Sequence, residues 1–370
     1  MSIPIPKPNF QKIYNSFLCN KHRVGSNYCD QWARVTGCNA GVPTSVPQPQ
    51  RVVVIIEENH SYSEIVGNVL APFFNSLIPR GALFSDSFAV AYPSQPNYLV
   101  LFSGGTQGVT DSFCPYSFST PNLYTQLVAK GFKFGGYSQS LPSVGFTGCT
   151  SGDYVRRHNP WVNFTNVPAA VNMPFSSFPT DYFMLPDVSF VVPDLKHDMH
   201  TPDGTIQDAD LWLEQNFSDY ADWAMANNGL LIITWDTDDG TEGNRIPTLL
   251  LGGNVFPGVY SEPITHFSLF RTLEVMYGLD SLVSVASEAT DVPESIQDIW
   301  VQYFDSLYEP CLGDVRPDDT CQQIKGVVQQ TDSQFARELI CIRNPRASSS
   351  EPLDCSKAPK WTGPKPPGCK

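Results

Sequence analysis

The sequence predicts an α/β fold, and three short apolar runs are the main evidence for it. Residues 52–56 form an unbroken β-branched run, which is typical of a strand covered on both faces. Similar runs at 188–192 and 230–235 are separated by segments with helical periodicity. Polar residues follow each run directly, and ligands of such sheets bind at the carboxyl ends of the strands.

The remaining elements alternate along the chain in the order that an α/β sheet requires. Gly81, Gly131 and Gly278 stand where three of the predicted helices end. We predict helices over 71–81, 121–130, 207–228, 264–278 and 292–308, and further strands over 82–91, 132–137 and 244–252.

Length and charge limit the classes of protein that the chain can belong to. The 370 residues suffice for one catalytic domain with decorated ends. A formal net charge of -14 argues against nonspecific binding to nucleic acid, because phosphate backbones would be repelled. No apolar run is long enough to span a bilayer, and residues 1–6 lack the apolar core of a signal peptide. We therefore expect a soluble chain with no stable membrane insertion.

The ten cysteines are concentrated at the two ends of the chain. Only Cys114 and Cys149 lie in the central body, and we expect them to pair. The other eight are expected to pair among the two termini, with at least one bridge joining start and tail. Irregular spacing disfavours zinc ribbons, so disulfides in a secreted protein are the favoured use. Sequons at Asn163 and Asn216 agree with secretion and glycosylation.

Composition divides the chain into three parts. Residues 1–50 form a Cys-containing extension that ends in a Pro-rich linker. Residues 51–308 form the predicted catalytic domain. Residues 309–370 form a Cys-rich, Pro-rich C-terminal extension with too few apolar residues for a core of its own.

The first polar turn carries the side chains Glu57, Glu58, Asn59 and His60 directly after the first strand. Carboxylate and amide oxygens suit a hard divalent cation. The alternative is an ordinary polar loop after a buried strand.

Ser94 stands where a strand gives way to a helix. Unpaired amides and the positive end of the helix dipole favour a bound phosphate and an ionised serine oxygen there. The alternative is that Ser94 is a plain N-cap.

Two further clusters follow later strands or loops. Asp236, Asp238 and Asp239 would repel one another unless a cation or hydrogen bonds offset their charge; a solvated turn is the alternative. Arg156 and Arg157 precede His158 and could meet an anionic substrate, although such a cluster is also typical of a solvated loop.

Seven motifs in order, over residues of about 51–283, resemble the phosphoesterase family of secreted acid phosphatases and bacterial phospholipases C. They are Glu58-Asn-His-Ser-Tyr, Tyr92-Pro-Ser-Gln-Pro-Asn-Tyr-Leu, His158-Asn-Pro, His197-Asp-Met-His, Trp235-Asp-Thr-Asp-Asp-Gly, Asn244-Arg-Ile-Pro-Thr and Thr265-His-Phe-Ser-Leu-Phe-Arg-Thr-Leu-Glu. The resemblance implies the alkaline-phosphatase-like fold, a three-layer α/β/α sandwich with a largely parallel central sheet. It also implies phosphoryl transfer to an active-site Ser or Thr beside one divalent metal cation.

The resemblance also implies roles for single residues. Ser94 matches the nucleophile, which is also a metal ligand, and Asn97 matches an asparagine that holds a phosphate oxygen. His200 matches a histidine that contacts phosphate or protonates the leaving oxygen, and His158 is assigned the same role.

The metal ligands implied by the family are Glu58, Asn59, Ser94 and Asp236. The family usually has an acid after the last of these, but this chain has Thr237. Asp238 or Asp239 is therefore a candidate for the fifth ligand.

These residues predict a secreted, metal-dependent phosphomonoesterase of the acid phosphatase type, which hydrolyses phosphate esters through a phosphoserine intermediate. One alternative is a phosphodiesterase of the phospholipase C type, which the short chain and the lack of an apolar docking segment disfavour. Another is a noncatalytic secreted binding module on the same fold, since Thr237 departs from the pattern.

Overall fold

The computed structural model of the chain describes residues 46–200, 204–283, 294–297 and 299–300. These residues belong to one compact unit, Ser45–Val301. The two predicted terminal extensions lie outside them, apart from the linker residues 46–50, and so do eight of the ten cysteines and most of the predicted helix 292–308.

The described residues form short strands and six α-helices. The strands are β1 (Val52–Glu57), β2 (Ala82–Phe84), β3 (Ser87–Phe88), β4 (Phe134–Ser138), β5 (Thr150–Ser151), β6 (Tyr154–Val155), β7 (Asn172–Pro174), β8 (Val188–Val192), β9 (Leu230–Trp235), β10 (Thr248–Gly252), β11 (Gly258–Tyr260) and β12 (Ile264–Thr265). The helices are α1 (Tyr62–Ile65), α2 (Pro72–Leu77), α3 (Ser94–Ser103), α4 (Leu123–Ala129), α5 (Ile206–Ala226) and α6 (His266–Met276).

Eight strands form the central sheet, in the order β11-β2-β10-β9-β1-β8-β4-β7. β10 is antiparallel to both of its neighbours, and every other neighbouring pair is parallel. The predicted α/β class with a largely parallel sheet is confirmed. Because β9, β1 and β8 run in parallel, their carboxyl ends meet at one edge.

Helices cover both faces of this sheet, and the alternation along β1 shows which face is which. Val53 and Ile55 pack into a core with residues of α5, whereas Val52 and Val54 pack into a second core with residues of α3 and α6. Both sets are buried because apolar side chains on alternate sides of a strand each need a covering layer. The result is the predicted α/β/α arrangement.

The predicted strand 82–91 is wrong as one continuous element. It divides into β2, which joins the central sheet, and β3, which pairs with β12. The strand changes partner because the Ser85 amide bonds to Tyr260 while the Asp86 carbonyl accepts from Ile264. The predicted helix 71–81 is confirmed as α2, continued by a 3₁₀ turn over Ile78–Arg80.

Two predictions about secretion can be compared with the described residues. Cys114 and Cys149 form the expected disulfide. The sequon at Asn163 is a poor glycosylation site, because Asn163 is buried and its Oδ1 accepts from the Arg156 Nε–H. Asn216 lies inside α5, where its amide donates to Trp212 O.

Across the described part of the chain, no helix has both the length and the apolarity to cross a bilayer.

Candidate active site

The candidate site lies at the carboxyl end of β1. Side chains alternate along a strand, so Glu58 continues the series Val52, Val54 and Ile56 and faces the layer that holds α3. The Glu58 amide donates to Asp198 O across 2.7 Å, which joins this end of β1 to the loop after β8. Strand alternation thus decides which of the adjacent acids enters the site.

Glu58 is completely buried and accepts from four side chains. Its Oε2 lies 3.1 Å from Ser94 Oγ and 3.0 Å from His200 Nδ1. Its Oε1 lies 2.9 Å from the Tyr98 hydroxyl and 3.0 Å from His158 Nε2. Although burial alone would raise the pKa of Glu58, the two histidines lower it below its usual range. Glu58 is therefore an anion at the centre of the cluster.

Ser94 is the first residue of α3, and Pro93 occupies the N-cap position. Ser94 thus lies inside the helix rather than at its cap, and its hydroxyl donates to Glu58. The alternative interpretation as an N-cap is therefore wrong. A ten-residue helix begins at this serine, so its free amides and dipole favour negative charge beside the hydroxyl.

His158 lies between two carboxylates. Its Nε2 contacts Glu58 and its Nδ1 lies 3.3 Å from Asp198 Oδ2. Burial lowers the pKa of His158, but the two carboxylates outweigh that effect and raise it to about 9. Asp198 also accepts from the His200 amide across 2.8 Å, so it holds both histidines.

Asp236 follows β9 and approaches Glu58 from the neighbouring strand. Its Oδ1 accepts from the Asn59 amide across 3.2 Å, while its buried Oδ2 has no hydrogen-bond partner among the described residues. Burial and the charge of Glu58 raise the pKa of Asp236 well above its usual value. A divalent cation beside it would favour the ionised carboxylate.

Asn59 has a φ of +52°, a conformation that asparagine tolerates better than most residues. Its side chain accepts from Thr237 Oγ1 across 2.7 Å and lies 2.9 Å from His200 Nδ1. Thr237 therefore holds the amide of Asn59 at the position where the family usually has an acid.

Three predicted site residues contact the backbone of their own loops. Asn97 Oδ1 accepts from the amides of Val90 and Ala91, and its Nδ2 donates to Ala91 O across 2.8 Å. Asp238 accepts from the amides of Gly240, Glu242 and Asn244. Asp239 is exposed and accepts from Thr241. Their roles in binding phosphate or metal remain predictions.

The other polar residues near the predicted motifs are used elsewhere. His60 bonds to Glu64 and Met199 O. Arg156 is buried and donates to the carbonyls of Thr147, Tyr116 and Val162, so it supports a loop rather than a substrate.

Tyr98 and Asp198 are the site residues that sequence reasoning missed. Tyr98 stacks on His158 with 5.2 Å between ring centroids and an interplanar angle of 7°. Its position four residues after Ser94 on a helix was an available signal. Asp198 stands in the motif His197-Asp-Met-His, and its place after β8 was the corresponding signal.

Glu58, His158 and His200 also form a possible metal site, because one ligand atom from each lies within 4.8 Å of the others. Carboxylate oxygens and imidazole nitrogens are common ligands of divalent metals. The unpartnered Asp236 Oδ2 adds a further donor to this region. The residues present thus fit a bound divalent cation.

Comparison with known proteins identifies a family and several relatives of the chain. Residues 70–280 match the phosphoesterase family model. The chain is 46% identical over 260 residues to a phosphatidylinositol-3-phosphatase of Mycobacterium tuberculosis, covering 70% of this chain and 85% of the relative. It is 30% identical over 230 residues to an acid phosphatase of Aspergillus fumigatus, covering 56% of this chain and 50% of that protein. A solved alkaline phosphatase superfamily protein from Vibrio parahaemolyticus is 12% identical, with a TM-score of 0.44 and coverage of 73% and 76%.

The α/β fold, the site at the strand ends and the phosphatase relatives define a phosphoric ester hydrolase. Its substrates are phosphate esters. The chain belongs to the phosphoesterase family, whose model matches more than half of its length.

Proposed function

We propose that the chain is a secreted, metal-dependent phosphomonoesterase of the acid phosphatase type, with Ser94 as its nucleophile. The observation that carries the proposal is the position of the Ser94 hydroxyl. It begins a ten-residue helix, lies 3.1 Å from the buried Glu58 carboxylate and shares that carboxylate with two histidines. Few structural roles for a serine need this combination of a helix N-terminus, an anion and two imidazoles.

The first half-reaction uses groups that surround Ser94. Its oxygen attacks phosphorus, the new Oγ–P bond forms, and the ester P–O bond breaks, while the serine proton passes to the Glu58 carboxylate. The amides at the start of α3 stabilise negative charge on the phosphoryl oxygens. Asn97 adds a donor through the Nδ2–H that makes only a 3.4 Å contact with Pro93 O.

His200 is the better placed of the two histidines to protonate the leaving oxygen. Its side chain is 26% exposed, whereas that of His158 is 1% exposed. The His200 Nδ1 contacts Glu58 and Asn59, which leaves Nε2 to face a substrate. His158 contacts Glu58 from the buried side, where it stabilises the negative charge of the carboxylate and holds its orientation. Water then attacks the phosphoserine and the Oγ–P bond breaks, with His200 accepting a proton from that water while Glu58 returns its proton to Ser94 Oγ and inorganic phosphate leaves.

The proposed ligands of one divalent cation are Glu58, Asn59, Ser94 and Asp236. In such a site a cation lowers the pKa of a bound hydroxyl and offsets charge in the transition state. Asp238 accepts from three backbone amides, and Asp239 is exposed. Both residues therefore fit a role in the turn better than the role of a fifth metal ligand.

Secretion is supported by the Cys114–Cys149 disulfide, a bond that persists in oxidising compartments. The acid phosphatases among the relatives agree with a phosphomonoester substrate.

The test is a comparison of p-nitrophenyl phosphate, bis-p-nitrophenyl phosphate and p-nitrophenyl phosphocholine with purified protein before and after chelation. We expect release of p-nitrophenol from the monoester alone, loss after chelation and recovery with added divalent metal. Faster turnover of either diester would contradict the monoesterase proposal. Activity that survives chelation and dialysis would contradict the proposed dependence on a metal.

A second candidate substrate is a phosphoinositide monoester, because the chain is 46% identical to a phosphatidylinositol-3-phosphatase. Soluble short-chain phosphatidylinositol 3-phosphate tests it directly. Phosphate release at a kcat/KM at least tenfold above that for glycerol phosphate would favour this substrate. Equal kcat/KM values for the two substrates would favour a phosphomonoesterase of broader specificity.

A further inference from the structure

Tyr92 is an exposed aromatic residue next to the candidate nucleophile. Its side chain is 51% exposed, although Ser94, two residues later, is 7% exposed. Among the exposed large apolar residues of the described chain, Tyr92 lies nearest in sequence to a site residue. Single exposed aromatic residues are common, so exposure alone is no argument for a function.

What distinguishes Tyr92 is that both ends of its side chain are held. Its hydroxyl donates to Asp238 Oδ1 in the loop that follows Asp236. Asp238 in turn accepts from the amides of Gly240, Glu242 and Asn244, at 2.8, 2.8 and 3.0 Å. The outer end of the ring is thereby fixed to a rigid turn.

The backbone next to Tyr92 is fixed as well. Asn97 accepts from the amides of Val90 and Ala91 at 2.9 and 3.1 Å, and Asn244 Nδ2 donates to Ala91 O at 3.2 Å. The ring therefore bridges two loops, one leading to Ser94 and the other leading away from Asp236. Because Ser94 and Asp236 both belong to the candidate site, a ring that joins these two loops would stand at the rim of that site.

A fixed, half-exposed ring in this position offers a flat apolar face at little cost in conformational entropy. Such faces stack on other rings, and a preorganised contact contributes more to binding than a mobile one. A substrate phosphate at Ser94 would direct its leaving group outward, toward the rim that Tyr92 and the exposed Pro93 form.

We propose that Tyr92 is a specificity-determining residue, whose ring favours phosphate monoesters with a ring in the leaving group over those with an open chain. The proposal rests on the proposed phosphomonoesterase function and adds the class of leaving group. The hydroxyl of Tyr92 serves to hold the ring, and the ring face serves to bind.

Benzyl phosphate and propyl phosphate provide the test, because both are alkyl esters of similar intrinsic reactivity and only one carries a ring. The variant Tyr92→Leu removes the ring, and Tyr92→Met is a second variant should the first fail to fold. Tyr92→Phe is the matched control that keeps the ring but loses the bond to Asp238. Thermal melting establishes that each variant is folded.

We expect Tyr92→Leu to lower the ratio of kcat/KM for benzyl over propyl phosphate by about 3- to 10-fold, the range of a single aromatic contact. The change should lie in KM, and Tyr92→Phe should keep most of the ratio. A ratio in Tyr92→Leu and Tyr92→Met equal to that of the unchanged protein would overturn the proposal. So would equal inhibition of the unchanged protein by benzylphosphonate and propylphosphonate. A protein that hydrolyses neither ester would instead refute the phosphomonoesterase function itself.

Discussion

The Tyr98 hydroxyl donates to Glu58 Oε1 across 2.9 Å, one helical turn after Ser94 donates to Glu58 Oε2. Two residues of one helix therefore hold the two oxygens of a single buried carboxylate. The Tyr98 ring also stacks on His158, which contacts the same Oε1. This arrangement fixes the orientation of the carboxylate toward the nucleophile.

Tyr98→Phe should lower kcat by about 10-fold or more, because it removes a hydrogen bond to a charged group and keeps the stacked ring. The fold should persist. Initial rates with p-nitrophenyl phosphate and a melting curve provide the measurement. Tyr220→Phe is the matched control, since the Tyr220 hydroxyl bonds to Leu230 O at the opposite end of β9. If the two variants lowered kcat equally, the Tyr98 hydroxyl would have no specific role in catalysis, and Tyr98 would contribute only to packing.

Ser94→Ala should abolish turnover, because it removes the proposed nucleophile, while a lost helix cap would cost only about 1 kcal/mol of stability. The measurement is single-turnover and steady-state phosphate release, with denaturation to check the fold. Ser103→Ala, at the other end of α3, removes a hydroxyl that bonds to Leu99 O and is the control. Retention of a tenth of the activity in Ser94→Ala would show that another group attacks phosphorus.

The acids after β9 are expected to differ in their effects. Asp236→Ala should eliminate activity at any concentration of divalent cation, because its buried carboxylate faces Glu58 and Asn59. Asp238→Ala should lower the melting temperature, since three backbone amides lose their acceptor. Asp239→Ala should be close to the unchanged protein. The measurement is activity titrated against added divalent cation for each variant.

That titration also decides the fifth ligand. If Asp239→Ala or Asp238→Ala needs at least tenfold more cation for half-maximal activity, that residue supplies the missing ligand. An unchanged midpoint in both would leave the site with four ligands.

His266 should make the protein less stable in acid. Burial lowers the pKa of His266 to about 4, against an ordinary value of 6.5, even though its Nε2 bonds to Trp235 O. The unfolded chain therefore binds a proton below about pH 6.5 that the folded chain binds only near pH 4. Hence this residue's contribution reduces the free energy of unfolding as pH falls through that window, by an amount on the order of a few kcal/mol.

The measurement for His266 is urea unfolding at several pH values between 4 and 7. His266→Gln retains a donor for Trp235 O but does not titrate, so the pH slope of stability should become smaller in this variant. An identical slope in both proteins would assign the acid sensitivity to other groups.

Much of the architecture could be predicted from local pattern. The runs that became β1, β8 and β9 were recognisable because strands buried on both faces are apolar throughout. The start of α3 at Ser94 was marked by the change from strand to helix pattern. The division of residues 82–91 into β2 and β3 was not predictable, because it depends on pairing with β10, β11 and β12 far along the chain.

By itself, the sequence determined which polar residues stand at the ends of the buried strands, and so which of them could meet. It did so because local periodicity sets the strand ends and parallel strands end at one edge. Only the tertiary structure decided that Tyr98 and Asp198 belong to the site and that the Asp238 carboxylate serves its own turn. Those assignments rest on contacts between distant residues, such as Glu58 with Asp198, 140 positions apart. Local spacing makes such residues candidates, but it does not specify which distant residues they contact.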